Sequence, residues 1–183
     1  MSPNGVSLSL NLAQADQSLN ALIGQEQAIA PVLDFFAFSA TETVRGTLVL
    51  GREASFDSIT GFYRIIDAQG TVWAANGLLL GPGDEGYASA ALRTDNLVSE
   101  LAGLRVDNNQ TSTQSIAITE STFLAPFAQV NGDTFFAFGA ANRDGISHFR
   151  TLGTNRFGLE DLVGGGDRDF DDLVLGFSFS SVS

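Results

Sequence analysis

Apolar and polar residues alternate along most of this chain. Val6, Leu8, Leu10 and Leu12 alternate with polar positions, which predicts a half-buried strand. Between residues 16 and 29 the period changes. Leu19, Leu22, Ile23 and Ile29 fit one face of a short helix, with Asp16 placed to cap it and Pro31 to end it. Residues 32–38 are almost all apolar, and Val44, Gly46, Leu48 and Leu50 alternate again. Residues 59–66 read as the next strand, and a turn at 67–70 leads to another over 71–74. Gly81-Pro82-Gly83-Asp84 is a loop. Residues 95–103 read as a small helix that turns Leu97, Val98 and Leu101 inward, and residues 114–120 as a strand. Asn131-Gly132 signals a hairpin, with its second strand over 133–140. After a turn at Arg143-Asp144-Gly145, the last strand carries Leu173, Leu175, Phe177 and Phe179 on one face.

Many short strands, evenly spaced turns and one or two short helices predict an all-β fold. The expected architecture is an antiparallel β-sandwich, jelly-roll-like. The length of 183 residues suits one such domain over residues 31–183. Residues 1–30, a strand and a short helix, precede it as a candidate assembly segment. Fifteen Phe and twenty Gly agree with an aromatic core and tight turns.

Charge narrows the partners. The net charge is −12, and all nine basic residues are Arg. Nucleic acid and anionic membrane surfaces are therefore not expected partners, and no apolar run is long enough for membrane insertion. With no Cys there are no disulfides, so a staple for life outside the cell would have to be a metal. The first fifteen residues lack a basic stretch and an apolar block, so no cleavable signal is expected there.

The densest chemistry lies between Glu160 and Asp172. Thirteen residues carry the carboxylates of Glu160, Asp161, Asp167, Asp169, Asp171 and Asp172, three consecutive glycines, and Arg168 as the sole compensating charge. Carboxylates this dense repel one another unless a cation sits among them. One His and no Cys do not supply an ordinary zinc site. An all-oxygen, glycine-rich, anionic segment suits Ca²⁺, which takes six to eight oxygens from side chains and backbone carbonyls. The spacing is not an EF-hand: Asp167, Asp169 and Asp171 match its opening, but Asp172 stands where the loop needs Gly and Ser178 where it needs Glu. It is not a glycine-rich β-helix repeat either, because only one imperfect copy is present. The competing reading is an acidic, solvated turn.

The order of residues in the C-terminal half carries a resemblance. It runs through Phe135-Phe136-Ala137-Phe138, Asn142-Arg143-Asp144-Gly145, His148-Phe149, Phe157-Gly158-Leu159-Glu160-Asp161 and Gly164-Gly165-Gly166-Asp167-Arg168-Asp169-Phe170-Asp171-Asp172. This pattern resembles the domain of unknown function DUF4114, which occurs in cyanobacterial and other bacterial secreted or surface proteins. Gly61-Phe62-Tyr63-Arg64 and Pro82-Gly83-Asp84-Glu85-Gly86-Tyr87 extend the resemblance upstream, so that it spans roughly residues 32 to 181. Asp171 departs from the family pattern, which has Asn there. The resemblance implies a calcium-binding context at the cell surface and no particular reaction.

The smaller candidates weigh less. Asn142, Asp144 and His148 form either a second site or plain turn chemistry with a structural His. Glu160 and Asp167 match a glycosidase pair by residue type, but six neighbouring carboxylates look more like ligands, and no G-x-S-x-G elbow exists. No enzymatic activity is expected. Trp73, Tyr63 and Tyr87 are either a sugar platform or core aromatics. The expected function is a secreted calcium-binding module with a structural, adhesive or extracellular-matrix role, its metal stabilising the fold after export. A carbohydrate-binding module is one alternative, with cell-surface polysaccharide as partner. The other is a filament subunit that adds Val6–Leu12 as a strand to another copy of itself.

Overall fold

Two antiparallel sheets face each other in the computed structural model, which describes residues 31–183. The strand expected at Val6–Leu12, the helix over 16–29 and the assembly role of residues 1–30 lie outside the described residues. One sheet has five strands: β6 (Gln110–Ile118), β2 (Val44–Arg52), β11 (Leu173–Val182), β10 (Arg156–Leu159) and β9 (Phe149–Gly153), in that spatial order. In the other, β7 (Phe123–Val130) pairs on one side with β3 (Ser58–Ile65). On its other side it pairs first with β1 (Leu33–Asp34) and then with β8 (Asp133–Phe136). A two-stranded ribbon joins β4 (Val72–Trp73) to β5 (Leu79–Leu80). The expected antiparallel all-β sandwich is the fold observed.

Alternation decides which side chains enter the space between the sheets. Leu48 and Leu50 of β2, Leu173, Leu175 and Phe177 of β11, and Phe157 and Leu159 of β10 are buried. Their neighbours on the same strands face outward. From the opposite sheet Phe62 meets Phe177 edge-on at 5.5 Å and Phe157 at 6.4 Å between ring centroids. Each such pair adds roughly 0.5–1.5 kcal/mol beyond its buried area. β3 shows little alternation because its outer face is covered too. Tyr63 points away from Phe62 and packs on Phe136 and on Tyr87 of the short helix α1 (Tyr87–Ala91).

Several expectations are corrected. Residues 95–103 do not form the expected helix. Only a 3₁₀ turn at Ser99–Leu101 is helical, and the segment runs along the free edge of β3. Thr60 and Leu104 exchange two backbone hydrogen bonds, and Val98 N donates to Phe62 O. Pairing an otherwise open edge outweighs helical spacing here. The apolar run 32–38 contributes only Leu33–Asp34 as strand, then turns, with Phe36 exposed. The Asn131-Gly132 hairpin forms as expected, both residues at positive φ, but β8 ends at Phe136 rather than at residue 140. β7 contains Pro126, at the break where pairing passes from β1 to β8. A residue without N–H fits such a break.

Candidate metal centre

The carboxylate segment connects two neighbouring strands. Leu159 at the end of β10 pairs with Leu173 at the start of β11, so residues 160–172 form the loop between them. Glu160 and Asp161 leave β10 still inside the protein, 2% and 6% exposed. Gly164, Gly165 and Gly166 then turn with φ of 87°, 83° and 36°. Asp167, Asp169 and Asp171 follow in alternation with Arg168 and Phe170, which hold the left-handed values 64° and 63°. Such values cost a bulky residue of order 1–2 kcal/mol and need support from the surroundings. Phe170 has it: its ring is buried, and the Arg150 guanidinium lies 4.1 Å over its centroid. The loop also braces itself. Asp169 N faces Asp167 Oδ1 and Asp171 N donates to Asp169 Oδ1 at 3.3 Å, so the acidic side chains cap their own backbone.

This path converges on Glu160. Its carboxylate lies with those of Asp167 and Asp169 in one triad, and with those of Asp161 and Asp172 in another. Within each triad one oxygen per residue lies within 4.8 Å of the others, a grouping that could hold a metal ion. Asp171, also expected among the ligands, belongs to neither triad and lines the outer face of the five-stranded sheet. Backbone N–H groups bind part of the cluster: Arg168 N donates to Glu160 Oε2 and Asp161 N to Asp172 Oδ2. Asp161 Oδ2 is buried and has no hydrogen-bond partner among the described residues. A buried carboxylate oxygen without a partner forfeits its hydration and gains nothing in exchange.

The electrostatics agree. Burial pushes the Asp161 carboxyl up to about 6, and the neighbouring Asp172 adds to the effect. Burial likewise raises Glu160, Asp171 and Asp172, with like charges adding in each case. Ionised carboxylates are disfavoured here unless positive charge arrives. The oxygen-only donor set, the orphaned Asp161 oxygen and the room left by Gly166 all fit a hard cation.

The second candidate cluster is already satisfied by the protein. Asn142 accepts a hydrogen bond from Phe136 N and donates to Phe136 O and Ile146 O. Asp144 Oδ2 lies 2.9 Å from His148 Nε2 and accepts from Gly164 N at 2.8 Å. His148 Nδ1 lies 2.7 Å from Glu160 O, and its ring stacks on Phe135 with centroids 4.0 Å apart. These residues support the carboxylate loop from beneath. Tyr63 and Tyr87 are core residues, their hydroxyls 3.0 Å apart, whereas Trp73 is 54% exposed beside Leu79 on the ribbon. Sequence reasoning missed Arg52, a buried arginine near Asp161, and Arg150 above Phe170. Spacing gives no sign of either contact, because both come from strands distant in sequence.

Residues 100–180 match the family described as Domain of unknown function (DUF4114). The match covers the carboxylate loop and leaves out residues 32–99, to which the resemblance also extended. No curated protein and no solved structure matches the chain.

Proposed function

We propose that this chain, with its DUF4114 domain over residues 100–180, is a calcium-dependent β-sandwich module with a structural, adhesive or matrix role outside the cell. The observation that carries the reading is Asp161 Oδ2, buried with no partner among the described residues, beside carboxylates that share Glu160. A cation supplies the missing partner and offsets the mutual repulsion of the cluster. Calcium is favoured because every donor is oxygen and the loop is irregular. Magnesium demands stricter octahedral geometry and gives up its water reluctantly.

Glu160 and Asp161 would hold the ion from the end of β10, Asp172 from the start of β11, and Asp167 and Asp169 from the loop between them. Bound there, calcium contributes positive charge that clamps two adjacent strands of the five-stranded sheet. Calcium sites of extracellular modules bind at about 10⁻⁴–10⁻³ M, so such a site is empty in the cytosol and filled outside. Binding free energy then becomes folding free energy after export.

The test is calorimetric titration of Ca²⁺ and of Mg²⁺ into metal-stripped protein. The reading predicts saturable calcium binding with Kd of roughly 10⁻³ M or tighter, and magnesium binding weaker by at least about tenfold. No binding of calcium at millimolar concentration would contradict it.

A further inference from the structure

The spacing of the carboxylates fixes how many ions the loop between β10 and β11 can take. Calcium–oxygen distances run from about 2.3 to 2.6 Å, so two oxygens on one ion lie at most about 5 Å apart. Oxygens of Glu160, Asp161 and Asp172 meet that limit, all within 4.8 Å of one another, and so do oxygens of Glu160, Asp167 and Asp169. Among the described residues no grouping of this size joins a carboxylate of the Asp161–Asp172 pair to one of the Asp167–Asp169 pair. As the loop is folded, one ion reaches either pair but not both, and Glu160 is common to the two.

The two groupings differ in their surroundings. Glu160 and Asp161 are buried and Asp172 is half-buried, so the first is enclosed. It contains Asp161 Oδ2, buried with no partner among the described residues, and such an oxygen points to a ligand. Backbone hydrogen bonds hold this grouping in place: Arg168 N donates to Glu160 Oε2 at 3.0 Å and Asp161 N to Asp172 Oδ2 at 2.8 Å. Asp167 and Asp169 are exposed, so the second grouping opens to solvent. Charge points the same way. One divalent ion among these five carboxylates leaves three negative charges uncompensated, whereas two ions leave one, beside Arg168 in the same loop.

We propose that the loop binds two calcium ions bridged by Glu160, an enclosed one held with Asp161 and Asp172 and a solvent-facing one held with Asp167 and Asp169. The inference rests on the calcium reading above and divides its ligands between two positions. The enclosed ion ties the end of β10 to the start of β11. The outer ion completes its six to eight oxygens with water. Sharing one carboxylate couples the two. The outer ion orders the loop and holds Glu160 in place, so part of the ordering cost of the inner site is already met. Loss of an outer ligand therefore weakens calcium at the inner site as well.

Terbium(III) tests the count. It resembles Ca²⁺ in size and in its preference for oxygen, and its higher charge tightens binding, which gives a sharp end point. Metal-stripped full-length protein is titrated with Tb³⁺, and bound metal per chain is measured by elemental analysis after desalting. The parent should bind two ions, both displaced by excess Ca²⁺. Asp172→Asn keeps an oxygen for Asp161 N but loses the charge, and Asp169→Ala removes an outer ligand. Each should lower the end point to one. Loaded with Tb³⁺ and Eu³⁺ together, the parent should show energy transfer between the two metals, which needs both ions close together on one chain. The transfer should vanish in either variant. An end point of one in the parent overturns the two-ion inference and leaves the calcium reading standing, and an end point of zero overturns both. An end point of two that neither variant lowers places the ions elsewhere and overturns the inference.

Discussion

A β-carbon placed on Gly166 would lie 2.2 Å from Glu160 Oε1 and 2.8 Å from its Cδ. Glu160 is the carboxylate common to both triads, so the third glycine of the run makes room for the shared group. Gly166→Ala would push this buried carboxylate aside. The expected outcome is a loss of calcium affinity of at least about tenfold. Gly164→Ala is the control: its φ is also positive, at 87° against 36°, but a β-carbon there meets nothing within 4 Å, so it carries backbone strain without the collision. Calorimetry on both variants separates the two effects. Equal affinities would show that the fit of Gly166 to Glu160 does not matter for the metal.

Asp161→Asn exchanges a buried, unpartnered oxygen for a neutral amide beside Asp172. Without metal this variant should be more stable than the parent by about 1–3 kcal/mol, since it removes an uncompensated charge. With calcium it should gain much less. Melts in chelator and in calcium check both halves, and a variant destabilised in chelator would refute the reading of Asp161 as a strained ligand.

The pH dependence should change sign with metal. Asp161 titrates at about 6 in the folded protein against an ordinary 3.8. A folded carboxyl raised this way binds its proton more tightly than the unfolded chain does. The stabilisation is full below the unfolded value and is lost as pH rises through about 6. Glu160 and Asp172 shift in the same direction. Metal-free protein should therefore melt higher near pH 5 than near pH 7.5, a difference readable by calorimetry. Calcium needs the ionised ligands, so its added stabilisation should shrink over the same descent. A calcium shift of constant size across this range would reject carboxylate ligation at Asp161.

Ligand assignment is tested by position. Asp169→Ala should weaken calcium at least about tenfold. Asp95, exposed and paired with Arg93 on the far side of β3, should be neutral when changed to Ala. Asp171→Ala should weaken calcium far less than Asp169→Ala, because Asp171 belongs to neither triad. Equal losses in calcium affinity for Asp169→Ala and Asp95→Ala would reject the assignment.

What the sequence makes legible is what depends on neighbours in the chain. The alternation in β2 and β11 reports one wet face and one dry face, and Asn131-Gly132 specifies a turn by its own backbone preferences. The helical spacing of residues 95–103 gives way to pairing with β3, a long-range event that spacing does not report. The acidic cluster is plain in the sequence, but its division is not. Whether Asp171 joins Asp169 or turns to the outer face of the sheet depends on the left-handed Phe170, held by Arg150 from β9.

Thermal unfolding in chelator and in ~2 mM Ca²⁺ tests the central claim most directly. For a site with Kd near 10⁻⁴ M, linkage gives about 2 kcal/mol of stabilisation. In a sandwich of this size that is a rise of roughly 4–8 °C in Tm. The rise should disappear in Asp169→Ala. An unchanged Tm in the parent protein would contradict a calcium site built on Glu160.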